Sequence, residues 1–437
     1  MPLRLILFLG VFIAAVLAGR AVLNDFIGQA LIEYGDSEAT REAAVAFAPG
    51  NPEVLSARGR YLLNRAEPAR PAQAVADLER AVAISPRDYR YHVELSRAYE
   101  MNGDTAHAEQ SLQRAVELAP RYFETRWALA NLRLRAGKSD EALADFRAAL
   151  ELSGGFAYPP HQDAVLSAYS AITQALGPNL EALRKITPAD TLAQTFLAGF
   201  LASTQGQAGI DAALDLWRHL PQDNAHAWRR LTFQLLAYTQ NANRFADERE
   251  LWQSLLRHEG IESVSDGNLM TNPGFEQQPV SERYQNYGAD AGFDWVFAAP
   301  HPQVRARRDS TVARSGAQSL HLTFNSVMRA EFQHVSQMIA VEPARSYRLS
   351  FFVRTERIPE NGPFVELTDA AQPGLFVLRA VVPGGSSDWR EVGLAFTTLP
   401  GTHALRLVIR CPLLTEFSGT SVGQLWLDDF RLEEAKR

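Results

Sequence analysis

The chain has 437 residues, 46% of them apolar and 21% charged, with a net charge of -7. That length suits two or three folded units better than one core, and an average globular composition confines disorder to the junctions. The acidic balance excludes a chain-wide attraction to nucleic acid, which needs clustered Lys and Arg; the single cysteine, Cys411, excludes an intramolecular disulfide, a paired redox motif and a thiolate zinc cage. Cys411 lies in the apolar run Leu405 to Leu414 and reads as a small buried hydrophobe.

Leu5 to Gly19 (LILFLGVFIAAVLAG) is uncharged and lies between Arg4 and Arg20. Leu3 to Leu23 is long enough to span a bilayer when Arg20 snorkels to the interface. Residues 1–24 therefore read as an uncleaved anchor or, alternatively, as a signal peptide cut near Ala18; both would export the remainder of the chain. Leu17-Ala18-Gly19 resembles the start of a bacterial lipoprotein site, but Arg20 stands where the lipidated cysteine would have to be. The expected location is the inner membrane, with the body in the periplasm or outside the cell, or secretion after cleavage. Ala21 to Leu31 carries helix beyond the membrane.

Pro86 and Pro120 stand 34 residues apart, and the segments around them align. In one, Leu95, Ser96 and Tyr99 precede a Gly103-Asp104 turn, then Ala108, Leu112 and Ala115. In the next, Leu129, Ala130 and Leu132 precede Gly137-Lys138, then Ala142, Phe146 and Ala149, ending at Gly154. An earlier, longer unit runs through Gly59, Leu62, Ala74, Leu78 and Ala81 to Pro86. Small residues where helices cross, large ones between, glycine at the turn and proline at the exit resemble the tetratricopeptide repeat. The resemblance implies a stacked helical solenoid over residues 25–262 that binds a protein partner. Arg90, Glu94, Arg97, Arg126 and Arg133 on the inner helices are the candidate contacts. From Tyr158 to Arg257 the pattern weakens into divergent helix pairs; Trp127, Trp217, Trp228 and Trp252 at helical spacing read as core.

At Ile261 to Gly267 the helical period ends and the texture turns to period two. Ser319 to Asn325, Ser346 to Thr355, Leu375 to Val382, Trp389 to Thr397, His403 to Arg410 and Gln424 to Leu432 read as strands. Asn272-Pro273-Gly274-Phe275-Glu276, Trp295, the stretch Ala313 to Leu322 and the closing Leu425 to Phe430 (LWLDDF) resemble the galactose-binding-like jelly rolls that include carbohydrate-binding modules. The fold class is thus multidomain: an N-terminal transmembrane or signal helix, an all-α tetratricopeptide-type solenoid, and an all-β jelly-roll sandwich over residues 268–437. The jelly-roll resemblance implies one structural Ca²⁺, held by Glu276 and Asp428, with Asp429 as the alternative to Asp428 and carbonyls from Arg314 to Gln318. Arg354, Glu366, Gln333 and Trp389 are the candidate sugar contacts, since sugars pair apolar C–H faces with hydroxyl edges; Trp295 and Trp426 read as core.

The sequence has no HExxH helix, GxSxG elbow, Walker loop or dinucleotide fingerprint. The expectation is a non-enzymatic adaptor with a protein partner on the repeats and polysaccharide on the sandwich, serving envelope polysaccharide assembly or export. The alternatives are a purely protein-binding scaffold and an accessory subunit of a glycan-processing enzyme.

Overall fold

The structure, a computed structural model, describes residues 2–152, 159–221, 223–261, 267–284, 292–298, 300–301, 303–324, 331–360, 362–412 and 423–435. Several expectations fall partly outside these: residues 262–266 of the boundary, Gly154 at a repeat exit, Tyr158 at the start of the divergent pairs, Asn325 at a strand end, and Leu414 at the end of the apolar run. The chain divides into two compact units, Met1–Ala193 and Gln194–Arg437.

The first unit is helical: α1 (Pro2–Tyr34), α2 (Glu38–Phe47), α3 (Pro52–Asn64), α4 (Pro71–Ile84), α5 (Tyr89–Met101), α6 (Thr105–Leu118), α7 (Phe123–Arg135), α8 (Ser139–Leu152), α9 (Pro159–Leu176) and α10 (Leu180–Ile186). Caps set the boundaries. The Asp88 carboxylate accepts from Arg90 N–H at the start of α5, and Asp104 accepts from His107 N–H at the start of α6, each satisfying a donor the helix leaves open. Gly103 turns the chain between them at φ 82°, a left-handed conformation that glycine adopts at no steric cost. Pairs α3–α4, α5–α6 and α7–α8 pack through fully buried small residues, Ala74, Ala81, Ala98, Ala108, Ala115, Ala130, Ala142 and Ala149. At Gly59 the approach is so close that a Cβ would lie 2.9 Å from Leu78 Cγ.

Helix α1 has two parts with different surroundings. Leu9, Phe12 and Val16 are 59%, 66% and 53% exposed, and Leu9–Tyr34 is the one stretch among the described residues long and apolar enough to cross a membrane. Its C-terminal turns pack into the repeat: Leu31 and Ile32 lie against the Ala44, Val45 and Val54 cluster. Asn51 Nδ2 donates to Asp25 Oδ1 at 2.6 Å and Arg41 Nη1 to the Ile32 carbonyl at 2.7 Å.

The second unit opens with α11 (Thr191–Thr204), whose first residues belong to the first unit, and continues with α12 (Gly206–Arg218), α13 (Ala225–Asn241) and α14 (Phe245–Glu259). Trp217, Trp228 and Trp252 are buried here, as read from the sequence, and Trp217 stacks on Trp228 at 6.1 Å. After the short α15 (Val280–Arg283) come β1 (Trp295–Phe297), β2 (Val304–Asp309), β3 (Ser319–Phe324), β4 (Phe332–Ala340), β5 (Ser346–Ile358), β6 (Phe364–Asp369), β7 (Val377–Val381), β8 (Gly385–Thr397), β9 (Ala404–Cys411) and β10 (Gly423–Glu434). They form two antiparallel five-stranded sheets, β1-β4-β9-β6-β7 and β2-β3-β10-β5-β8. Alternate residues fill the space between the sheets, Leu320, Leu322, Phe351, Val353, Leu425 and Leu427 from one, Val335, Val365, Leu367, Leu405, Leu407 and Ile409 from the other. Cys411 is buried among them, and burial pushes its thiol up to about 12.

The opening motif closes the sandwich. Leu269 N–H donates to the Leu432 carbonyl at 2.8 Å and Phe430 N–H to the Pro273 carbonyl at 3.0 Å. Phe275 and Phe430 pack on the fully buried Trp295 at 4.6 and 5.1 Å. Strands β1, β2, β4 and β6 go beyond the six the sequence marks. In β4 the inward Gln337 and the buried outer-face Ser336 blur the alternation, and Gln337 is tolerated because its amide exchanges hydrogen bonds with the Thr271 backbone. Strand β2 is a sheet edge carrying Arg305, Arg307 and Arg308, the charged composition typical of an edge strand.

Candidate functional site

On the helical unit, α3, α5 and α7 contribute to one charged face. Arg90 is exposed and paired with Asp88 at 2.6 Å, with Glu53 of α3 3.9 Å away. Arg97 is exposed and donates to Asn64 Oδ1 at 2.7 Å. Between them Glu94 is half-buried and its Oε2 has no hydrogen-bond partner among the described residues; burial pushes its carboxyl up, against the opposing pull of Arg60 and Arg97. Arg135 of α7 reaches Glu100 of α5 through two bonds of 2.7 and 3.0 Å. Arg126 and Arg133, expected on this face, are drawn away from it: both grip the buried Asp145 of α8, at 3.2 and 2.7 Å, and Arg133 also holds Glu109 at 2.9 Å. A buried carboxylate needs cations, so these two arginines hold the repeat together. Trp127 is half-buried, stacked on Phe123 at 5.2 Å and edge-on to Phe146 at 5.1 Å.

The four sugar candidates do not share a surface. Gln333 and Glu366 lie on β4 and β6 of one sheet, Arg354 and Trp389 on β5 and β8 of the other. Arg354 sits 5.6 Å over the Trp426 ring, whose other neighbour, His321, stacks at 4.5 Å and 6°. Trp426 is buried, yet on the outer face of its sheet, its Nε1 donating to Asp309 Oδ2 at 3.0 Å. Hydrogen bonds from Thr311 and Trp426 outweigh burial and hold the Asp309 carboxyl at about 2.

Glu366 has the environment the sequence did not disclose. Its buried carboxylate lies between Arg379 Nε at 3.0 Å and Arg410 Nε at 2.7 Å. Those arginines line a cleft of about 440 Å³ with Phe364, Val381, Glu331 and Glu360. Arg379 also stacks over Phe364 at 4.8 Å. Apolar wall and fixed polar groups converge here as in small-ligand sites. Strand pairing makes the cluster: Glu366 faces Arg379, and Phe364 faces both Arg410 and Val381. Only that register, which sequence spacing leaves open, could have revealed it.

Glu276 and Asp428 each hold one end of the turn from Arg314 to Gln318. Asp428 Oδ2 accepts from the N–H of Arg314 and Ser315 at 2.8 and 3.3 Å, and Glu276 from the N–H of Ala317 and Gln318. The turn thus presents N–H groups to these carboxylates, where the resemblance implied carbonyls. Asp429 is held by Arg314 Nη1 at 2.5 Å and Ser315 Oγ at 2.6 Å. Asp428 is fully buried, and burial pushes its carboxyl up to about 6.

Residues 89–122 match the family model of the tetratricopeptide repeat, so α5 and α6 form such a repeat. No curated protein matches the chain in sequence. Among solved structures, the chain is similar to the enzymatically active domain of bacteriophage CBA120 tailspike protein 4, at 15% identity over 39% of this chain and TM-score 0.29; it spans 22% of that domain's length. It is similar to YrrB, described as a tetratricopeptide protein with an unusual peptide-binding site, at 24% identity over 40% of this chain and 89% of that one, TM-score 0.30. It is also similar to a family 16 carbohydrate-binding module, at 15% identity over 38% of this chain and 99% of that one, TM-score 0.24.

Proposed function

We propose that this chain is a membrane-anchored, non-enzymatic adaptor whose repeats hold a protein partner and whose sandwich contacts glycan, in the assembly or export of an envelope polysaccharide. The repeat match supports protein binding, because stacked helix pairs present an extended surface to partner chains. The observation that carries the glycan half is the Arg379–Glu366–Arg410 cluster beside Phe364. A carboxylate fixed between two guanidiniums leaves planar donors aimed at a cleft with an apolar wall, which matches hydroxyl edges and a C–H face. The test is binding of the full-length protein in detergent to bacterial and plant polysaccharides, with and without calcium. Specific retention that Arg410→Ala and Arg379→Ala both reduce at least tenfold supports the reading; no retention of any polysaccharide by folded protein removes the glycan half and leaves a protein-binding scaffold.

The exposed apolar half of α1 supports a membrane anchor, and the inner membrane, with the body on the periplasmic or outer side, is the location proposed for it. A structural calcium ion is proposed where Glu276 and Asp428 converge: a side chain at Gly274 would meet Asp428 Oδ1 at 3.4 Å and Glu276 Oε1 at 3.6 Å, and hard carboxylate oxygens suit that ion. Calcium against chelator should then raise the melting temperature of the protein by several degrees, and an unchanged melting curve would leave backbone N–H groups, of the turn and of Asp429, as the partners of these carboxylates.

A further inference from the structure

A second cleft lies within the C-terminal unit, between the α13–α14 hairpin and the outer face of β1, β4 and β9. It measures about 350 Å³ and is lined by Gln240, Asn241 and Phe245 from the helices, by Asn243 from the turn between them and by Val296, Ser336, Met338 and Arg406 from the sheet, with Gly292 and Ala370 at its margin. The hairpin is fixed on the sheet by Gln240 Nε2, which donates to Met338 Sδ at 3.4 Å, and by Arg249, 3.3 Å from Glu342. Gly292 lies so close to α14 that a Cβ there would meet the Trp252 ring at 2.6 Å. Helices and strands build these walls, so the cleft is preformed.

Its charge differs from that of the first cleft. There two arginines share Glu366, and Glu331 and Glu360 add further negative charge. Here Arg406 is the only ionised residue in the lining, and neither it nor the Asn241 and Asn243 carboxamides has a side-chain hydrogen bond or ion pair to protein among the described residues. A guanidinium without a carboxylate partner is a ready fork for a carboxylate from outside. Carboxamides carry both donors and acceptors, as vicinal hydroxyls do, and Phe245, Val296 and Met338 offer an apolar wall to a sugar's C–H face.

We propose that this cleft binds a uronic acid residue of an acidic glycan, its carboxylate on Arg406 and its hydroxyls on Asn241, Asn243 and Ser336. The inference rests on the glycan reading of the sandwich but concerns a different cleft and a different sugar class. Binding involves no covalent step.

The test uses full-length protein in detergent and three probes in calorimetric titration: trigalacturonate, the same trimer with its carboxyls reduced to neutral galactose units, and triglycine with a free C-terminus. Trigalacturonate should bind at least tenfold more tightly than the reduced trimer. Arg406→Ala should abolish that preference and Asn241→Ala weaken it; both positions are exposed, so folding should persist. Arg379→Ala, in the other cleft, should leave the preference intact. Equal binding of charged and reduced trimers, a preference that survives Arg406→Ala, or triglycine competing as well as trigalacturonate would each overturn the proposal, the last in favour of a peptide terminus. Neutral glycan binding without acid preference sinks this inference and spares the first cleft, whereas acid preference that persists while Arg410→Ala changes no glycan binding does the reverse.

Discussion

Arg58 and Asp77, 19 residues apart, form a two-pronged ion pair, Nε to Oδ2 at 2.6 Å and Nη2 to Oδ1 at 2.5 Å, and Arg126 and Asp145 repeat the same 19-residue link further along the solenoid. Each pair ties the first helix of a repeat to its second. Both aspartates are buried, at 3% and 5% exposure. Removing one leaves a cation beside a cavity: Asp145→Ala strands Arg126, leaves Arg133 to Glu109, and should cost about 2–4 kcal/mol, read as a lowered denaturant midpoint. Asp145→Asn, which keeps the shape and loses the charge, should fall between the two.

The crossing of α3 and α4 leaves no room at Gly59. Gly59→Ala places a methyl against Leu78 and should cost about 1–3 kcal/mol through overpacking, even though alanine is the better helix former. Thermal unfolding of Gly59→Ala checks this, and the double variant Gly59→Ala with Leu78→Val should recover part of the loss.

Glu248 on α14 is fully buried, and burial, only partly offset by the Gly292 N–H, pushes its pKa from 4.5 to about 8. Between those values the folded chain keeps the proton that the unfolded chain releases, so the contribution of Glu248 to stability is fully present below pH 4.5 and is lost as pH rises towards 8. Asp294 and Asp428, each pushed to about 6, act in the same direction at lower pH, while His321 and His334, held low by burial, act in the opposite direction below the ordinary histidine value of 6.5; the decline above that belongs to Glu248. The decline is a few kcal/mol at most, from about 1.4 kcal/mol per pH unit. Glu248→Gln should flatten the melting-temperature profile between pH 6 and 8, while a profile still falling steeply would assign the effect elsewhere.

Element type was legible wherever one local pattern decided it. The 34-residue period placed α5 to α8, because caps and small crossing residues such as Ser96 and Ala108 are set within a repeat. Strands with clean alternation, such as β5 and β9, were equally plain. Strand β4 was missed because Gln337 is buried by partners 66 residues away, and β2 because an edge strand keeps its charges. The candidate site was harder to read. Arg126 and Arg133 look free on a helix, and only the packing of α8 brings Asp145 to them. Glu366 was named without Arg379 and Arg410, since cross-strand register decides who faces it. The cleft at Arg406 needs α13 and α14 laid on a sheet, which no local spacing encodes.

The central claim is that the α3, α5 and α7 face engages a protein. A photo-crosslinking residue placed at Arg97, exposed on that face, or at Arg114, exposed on α6, tests it in living cells. A discrete covalent adduct with one protein is expected from position 97, and none of that size from position 114. No adduct from position 97, or the same set from both positions, would contradict it.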